Sequence, residues 1–196
     1  MLKVFHAPQS RSSRLIWLLE ELSADYQIVH VNISRMDGTG GPDPRNPHPL
    51  KQVPAIEHEG AVITESAVIF DYLCGVHAFA GLKPLDAPGR ARFASWIGLY
   101  VSTLEPVINA KFRSPDGCTP VQSDAYDTLC ARLKGALEAG PYLLGEKFSA
   151  LDILFGSLPM FFRTALPDDS IYDEWIARLE RRPALVRARY KDAPPN

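Results

Sequence analysis

The apolar periodicity of the chain changes once, near residue 82. Short apolar runs with strand character alternate with helical stripes before that point, and only helical stripes follow it. We therefore predict a small α/β unit followed by an all-helical unit. The stretch 79–90, FAGLKPLDAPGR, contains Gly, Pro and a turn and marks the boundary. The predicted domains are residues 1–78 and 88–196, joined by a linker at 79–87.

The first unit begins with a strand, a helix and a second strand, at residues 2–6, 11–22 and 26–33. Two parallel strands require a helical crossover of this kind. Two short strands around Glu59-Gly60 then indicate a hairpin, and a helical stripe follows at residues 65–73. These elements make up the α/β part of the predicted fold.

The second unit shows four helical stripes, at about 88–112, 121–139, 150–165 and 171–190. Ser149-x-x-Asp152 is a capping-box arrangement, with Asp in place of Glu, before the third stripe. Because an apolar run follows it, we expect that helix to be central and buried.

Composition argues against several classes of partner. The 196 residues are 46% hydrophobic and carry a net charge of −2, which indicates neither a nucleic-acid-binding surface nor an acidic disordered tail. No apolar run has the length of a membrane span, and the N-terminus lacks the apolar segment of a signal peptide. We therefore expect a cytoplasmic protein that binds neither nucleic acid nor membrane. The three widely spaced cysteines form no CxxC pair, so neither a disulfide framework nor a metal site is expected.

Residues 51–73, KQVPAIEHEGAVITESAVIFDYL, carry the clearest chemistry. Pro54 is tolerated at a strand start or as a cis peptide in a tight turn, and the cis form leaves the backbone of Val53 free to pair with an extended peptide. Glu65-Ser66 then opens a helix, whose N-terminus binds carboxylates, and Glu65 can receive an ammonium group. Each motif alone is explained by a strand-start proline or an N-capping serine. Joined by a hairpin in this order, they suit a γ-glutamyl peptide.

This segment resembles the glutathione-binding core of the cytosolic glutathione transferases, in which a Val-Pro turn and an acid-Ser pair flank a hairpin in a thioredoxin-like domain. The string LLGEKFSALDIL at 143–154 resembles part of that family's helical domain, so the resemblance covers nearly the whole chain. It implies a cis Pro54, pairing of Val53 with the cysteinyl part of glutathione, and contacts of Glu65 and Ser66 with the γ-glutamyl end. It also implies glutathione as co-substrate, no metal, and a homodimer.

Residues 10–22, SRSSRLIWLLEEL, resemble the first helix of bacterial and theta- or delta-like members, whose catalytic Ser or Cys lies four residues before an Arg. Ser10 has that relation to Arg14. The resemblance implies a hydroxyl that stabilises the glutathione thiolate, and Ser10 and Ser12 are both candidates. Arg11 aligns with the Cys of the beta class and is a candidate glutathione contact. Helix capping is the alternative for each serine.

Two further subsites follow from the resemblance. Many relatives have a Lys before Val-Pro that meets the glycine carboxylate of glutathione, whereas this chain has Gln52 there and Lys51 one residue earlier. We expect Gln52 or Lys51 to make that contact. Tyr100, Phe112 and Arg113 are candidates for a second-substrate pocket, and ordinary helix-bundle core is the alternative for these aromatic residues.

The resemblance implies transfer of glutathione to a small apolar electrophile, because Ser-type sites favour attack by a glutathione thiolate without an enzyme disulfide. Three alternatives remain open. They are a glutathione-dependent peroxidase or reductase, a non-catalytic glutathione-binding protein, and a thioredoxin-like redox protein, the last disfavoured by the missing CxxC.

Overall fold

The computed structural model describes residues 1–113 and 119–193, without the side chains of residues 111–113, 120 and 121. Within those ranges no helix is long and apolar enough to cross a membrane. The fold is a thioredoxin-like α/β unit with a four-stranded mixed sheet, together with a helical region.

The chain divides into two compact units, one formed by Met1–Ala80 together with Arg182–Asn196 and the other by Gly81–Arg181. The first unit contains the sheet, and the second unit is helical. The expected helical domain at 88–196 therefore differs from the structure at its end, because the last helix belongs to the first unit.

The four strands lie in the first unit. They are β1 Leu2–His6, β2 Tyr26–His30, β3 Ala55–His58 and β4 Ala61–Thr64. The order across the sheet is β2, β1, β3, β4, with β1 parallel to β2 and antiparallel to β3. The pair β3 and β4 is the hairpin that the sequence predicts. The strand expected at 26–33 ends earlier, at His30.

The described residues form eight α-helices. They are α1 Ser13–Leu22, α2 Ser66–Val76, α3 Ala87–Leu99, α4 Glu105–Arg113, α5 Pro120–Glu138, α6 Ala150–Phe161, α7 Ser170–Glu180 and α8 Pro183–Lys191. A π-helical turn at Tyr100–Leu104 interrupts the stripe expected at 88–112. The stripe expected at 171–190 is two helices, because a proline disfavours helical backbone at the residue before it, and Arg182 is extended (ψ 125°).

Helix α8 packs on α1 through charged side chains. The carboxylate of Glu20 accepts hydrogen bonds from Arg187 Nε at 2.9 Å and from Lys191 Nζ at 2.5 Å. The carboxylate of Glu21 accepts from Nε and Nη2 of Arg182. Burial acts to raise the pKa of Glu20, but its hydrogen bonds to Lys191 and neighbouring groups outweigh burial and lower it. These pairs explain why α8 belongs to the sheet-containing unit.

The helical unit is organised around a buried carboxylate on α6. Asp152 accepts hydrogen bonds from both the backbone N–H and the hydroxyl of Ser149, each at 2.9 Å, so the predicted capping box is confirmed. It also accepts from the N–H of Leu143 at 3.0 Å and from the indole of Trp175 at 3.1 Å. Burial raises the pKa of Asp152 against these four donors. Asp152 thus ties the start of α6 to α7 and to the preceding turn.

Candidate functional site

Strand register brings three segments of the first unit to one edge of the sheet. Phe5 on β1 pairs with Ala55, the first residue of β3, and Ala55 pairs with Thr64, the last residue of β4. The segments that continue from these residues therefore meet at the same edge. They are the turn after β1, the Val53-Pro54 turn before β3, and the Glu65-Ser66 pair that opens α2.

The Val53-Pro54 turn has a cis peptide bond. The Val53 side chain is buried in a small apolar cluster with Ala7 from the turn after β1 and with Phe5 and Ala55 from the paired strands. This packing joins the Val53-Pro54 turn to the turn that carries the candidate serines.

Asn46, a fully buried residue that our reading of the sequence missed, organises the loop before this turn. Its Nδ2 donates to the Gln52 carbonyl at 2.9 Å, and its Oδ1 accepts from the N–H of His48 at 3.0 Å. Its own carbonyl accepts from Lys51 Nζ at 2.8 Å. One amide therefore holds both ends of the segment that leads into Val53. An Asn-Pro dipeptide in a proline-rich loop is the only sequence signal for it.

The Glu65-Ser66 pair presents a carboxylate beside a helix N-terminus. Glu65 has a positive φ of 69°, precedes α2, and makes no side-chain cap, and its side chain is 73% exposed. Ser66, the first residue of α2, is buried. His48 Nδ1 accepts from the N–H of Leu50 at 3.1 Å, so the ring proton of the neutral imidazole is on Nε2, which lies 3.8 Å from Glu65 Oε1. The exposed carboxylate and the unpaired N–H groups of α2 suit the ammonium and carboxylate of an amino acid.

Ser10 and Ser12 are placed differently, although both precede α1. Ser10 is partly exposed, and its hydroxyl lies 2.7 Å from the Ala7 carbonyl and 2.8 Å from Ser12 Oγ. Ser12 is completely buried, and its hydroxyl is surrounded by His6, Ala7 and Ser10. Ser12 therefore does not present its hydroxyl to solvent, so Ser10 remains the candidate for direct contact with the sulfur.

Behind the serines lies a buried imidazole. His6, on the last position of β1, is fully enclosed, with Nδ1 2.8 Å from Ser12 Oγ and Nε2 3.3 Å from Asp192 Oδ1. Burial, with His30 alongside, lowers the pKa of His6 to about 4, so the ring is neutral at pH 7. Burial raises the pKa of Asp192, while hydrogen bonds from Ser13 and the backbone of Gln9 oppose that rise. This contact could not be predicted from the sequence, because Asp192 lies near the opposite end of the chain.

A cleft of about 400 Å³ lies beside the serine-bearing turn, within the first unit. Its walls are Ala7, Pro8, Gln9, His30, Val31, Asn32, Arg35 and Arg45. Arg45 is paired with Asp43, whose pKa it holds well below the usual range, whereas exposed Arg35 donates from Nη2 to the Pro8 carbonyl at 2.9 Å. Arg35 therefore brings positive charge to the cleft, and a basic residue in the long loop was its only sequence signal.

The residues predicted to contact the glycine end of glutathione differ in how freely their side chains can reach a ligand. Gln52 is exposed, while the ammonium of Lys51 is bonded to the Asn46 carbonyl inside its own loop. Arg11 is exposed on the turn before α1. Among the residues that the structure describes, no group of three His, Cys, Asp or Glu side chains could hold a metal ion.

Tyr100 lies in the core of the helical unit. It is 1% exposed, its ring packs edge-to-face on Phe155 with centroids 5.4 Å apart, and its hydroxyl donates to Glu105. Tyr100 is therefore a residue of the helix-bundle core, which was the alternative interpretation, and the assignment of Tyr100 to a second-substrate pocket was wrong. The side chains of Phe112 and Arg113 lie outside the described residues.

Comparison with known protein sequences finds proteins named as glutathione S-transferases. Residues 1–74 match the family model of the glutathione S-transferase N-terminal domain. The chain is 30% identical over 110 residues to glutathione S-transferase 3 of Schizosaccharomyces pombe, an alignment that covers 55% of this chain but 44% of that protein. It is 28% identical over 194 residues to the glutathione S-transferase-like protein OpS6 of Beauveria bassiana, covering 87% of this chain and 85% of the relative.

Solved structures agree with this match over almost the whole length. The bacterial glutathione S-transferase BphK, solved as a ternary complex, has a TM-score of 0.80 at 21% identity and covers 97% of this chain and 98% of its own. A sphingomonad glutathione S-transferase complexed with glutathione has a TM-score of 0.76 at 22% identity, with the same coverage. These likenesses show the fold. The sequence match shows that residues 1–74 form a glutathione S-transferase N-terminal domain.

Proposed function

We propose that this protein binds glutathione at the sheet edge of its first unit and transfers it, as a thiolate, to a small apolar electrophile. The observation that carries the proposal is the meeting of three segments at that edge. The partly exposed Ser10, the cis Val53-Pro54 turn and the exposed Glu65 beside Ser66 all lie on segments that continue from paired strand residues. The related sphingomonad enzyme was solved with glutathione bound.

Glutathione has three recognisable parts, and this edge offers a partner for each. The Glu65 carboxylate would receive the γ-glutamyl ammonium, and Ser66 with the first N–H groups of α2 would hold its carboxylate. The Val53 backbone would pair with the cysteinyl residue as an added strand does. Arg35, in the cleft beside Pro8, is the cation best placed for the glycine carboxylate, since Lys51 is bonded within its own loop.

The chemistry requires a lower thiol pKa. A free thiol has a pKa near 8.5, and lowering it by about two units needs ~2.7 kcal/mol of preferential thiolate stabilisation. A hydrogen bond from the Ser10 hydroxyl to the charged sulfur contributes about 1.5–3 kcal/mol, while the bond it gives up to the Ala7 carbonyl is worth about 0.5–1.5 kcal/mol. The N-terminus of α1, three residues further along, adds up to ~2 kcal/mol. The serine, with a net gain of about 0–2.5 kcal/mol, and the helix together reach the required stabilisation toward the upper ends of these ranges.

The proposal is tested by binding and turnover measured on the same preparation. Glutathione titrated calorimetrically should bind one site per chain, and addition of an aryl halide should yield the thioether with loss of halide. Turnover of cumene hydroperoxide without the aryl halide reaction would favour a peroxidase instead. Binding with no reaction toward any electrophile would favour a non-catalytic role, and no binding at all would overturn the proposal.

We also propose a homodimer in solution, as the family resemblance implies. Light scattering coupled to size exclusion should give about twice the chain mass of 21.7 kDa. A monomeric mass across the working concentration range would contradict this part of the proposal without affecting glutathione binding in the first unit.

A further inference from the structure

Three short contacts connect β1 to the Ser10 hydroxyl. His6 Nδ1 lies 2.8 Å from Ser12 Oγ, which lies 2.8 Å from Ser10 Oγ, and Ser10 Oγ lies 2.7 Å from the Ala7 carbonyl oxygen. All three distances are those of hydrogen bonds, so each contact holds one proton. The three groups that can supply a proton are the imidazole and the two hydroxyls.

These protons can be assigned by working back from the carbonyl. The carbonyl of Ala7 has no proton, so the Ser10 hydroxyl is the donor there, and each hydroxyl has only one proton to give. The contact between the serines must then be made by the Ser12 hydroxyl. The contact between Ser12 and His6 is left to the Nδ1 proton of the imidazole. If Ser12 donated instead to Ala7, over 3.2 Å, one of the shorter contacts would have no proton.

The same assignment satisfies every lone pair of the two hydroxyls. Ser12 Oγ accepts from His6 and, at 3.2 Å, from the N–H of Ala7, while Ser10 Oγ accepts from the hydroxyl and, at 3.2 Å, from the N–H of Ser12. It also leaves Nε2 of His6 without a proton, and that atom is buried and makes no hydrogen bond. The groups that face Nε2 are the Asp192 carboxyl and the ring of His30.

We propose that His6 is a positioning residue that fixes the direction of the relay from His6 through Ser12 to Ser10, so that the Ser10 proton remains available to the glutathione sulfur. This inference rests on the proposed function. Because the Ser12 hydroxyl donates to Ser10 Oγ, the Ser10 hydroxyl does not donate its proton to Ser12. Its proton has two places to go, the Ala7 carbonyl at rest and the sulfur when glutathione is bound. Each donor in the line also polarises the next, by about 10–30% per bond.

The readout is the apparent thiol pKa of bound glutathione, followed by thiolate absorbance. His6→Phe keeps a ring of similar size but removes the donor, and it should raise that pKa by about half a unit, a roughly threefold fall in the acid dissociation constant of the bound thiol. His6→Asn places an amide N–H near the position of Nδ1 and should restore the wild-type value. The KM for glutathione should not change in either variant, since His6 touches no part of the peptide.

A second background separates a relay from a general structural effect. Ser10→Ala removes the last donor, so His6→Phe added to Ser10→Ala should cause no further change in the thiol pKa. An additive change, or a His6→Phe variant with the wild-type pKa, would overturn the relay while leaving the role of Ser10 intact. If Ser10→Ala itself leaves the pKa unchanged, the proposed function of Ser10 fails first, and the relay fails with it.

The tautomer of His6 can be observed without relying on any variant being active. In protein labelled with ¹⁵N-histidine, the ring nitrogens of a neutral Nδ1–H tautomer differ in chemical shift from those of Nε2–H or of imidazolium, and subtraction of the His6→Asn spectrum identifies the resonances. An Nδ1–H ring that stays neutral at pH 7 supports the relay. An Nε2–H ring contradicts it, because Ser12 would then have to donate to His6.

Discussion

The hydroxyl oxygens of Ser10 and Ser12 lie 2.8 Å apart, yet Ser10 is partly exposed and Ser12 is completely enclosed. The difference arises from the turn after β1, where the Ser10 hydroxyl donates to the Ala7 carbonyl while Ser12 faces inward against His6. Two serines of identical chemistry thus have separate roles in our account, with Ser10 meeting the ligand and Ser12 supporting Ser10.

Replacing Glu65 should weaken glutathione binding without slowing the chemical step. Glu65→Gln keeps the shape of the side chain but removes the charge that would receive the γ-glutamyl ammonium, so we expect about tenfold weaker binding and a nearly unchanged kcat. Glu59→Gln, in the exposed turn of the hairpin, is the matched control and should bind normally. A glutathione analogue without the α-amino group should not discriminate between wild type and Glu65→Gln. If Glu65→Gln weakened the binding of that analogue as much as it weakens the binding of glutathione, Glu65 would not be the residue that binds the ammonium group.

Arg35 should govern recognition of the glycine end. Arg35→Gln removes the positive charge in the cleft beside Pro8, and we expect a roughly tenfold loss of affinity for glutathione. The amide of the glycine carboxyl should bind wild type and variant alike, because it has no charge to be recognised. The four dissociation constants, for two ligands and two proteins, measure the interaction between Arg35 and the glycine carboxylate. If Arg35→Gln weakened the binding of both ligands equally, the glycine carboxylate would have to bind elsewhere.

Asp152 should be among the most sensitive positions for stability. Asp152→Ala leaves the indole N–H of Trp175 and the N–H groups of Leu143 and Ser149 buried without an acceptor, so we expect a loss of about 4 kcal/mol in the free energy of unfolding. Asp173→Ala, which removes an exposed ion pair with Arg163, is the control and should cost less than about 1 kcal/mol. Denaturant melts measure both, and similar losses would show that Asp152 is not the organising group.

The buried His6 should make the protein less stable in mild acid. Its folded pKa, about 4, lies below the unfolded value of 6.5, so the unfolded chain binds the proton more tightly, and stability that is fully present above pH 6.5 declines as the pH falls towards 4. From this residue alone we expect a loss of about 2 kcal/mol between about pH 7 and about pH 5. The raised pKa of Asp192 acts in the opposite direction and offsets part of that loss. Denaturant melts of wild type and His6→Asn at the two pH values test this, and parallel losses would show that His6 does not titrate as described.

The parts of the fold and site that could be predicted from sequence are those specified by neighbouring residues. The Val53-Pro54 turn, the hairpin and the Glu65-Ser66 helix start lie within one continuous segment, and the capping box of Asp152 lies within four residues. The contact of His6 with Asp192 could not be predicted in this way, because Asp192 follows the last helix. Burial also decides roles that spacing leaves open, as it does for Ser12 and for Tyr100. Arg35 was missed because one basic residue in a polar loop has no pattern around it.

The most direct test of the central claim is the thiolate absorbance of bound glutathione as a function of pH, measured for wild type and for Ser10→Ala. We predict an apparent thiol pKa about two units below that of free glutathione in wild type, and a rise of about one unit in Ser10→Ala. Saturation with glutathione at each pH ensures that the bound ligand is what titrates. An unchanged pKa in Ser10→Ala would contradict the account, and the sulfur would then have to be stabilised by another group.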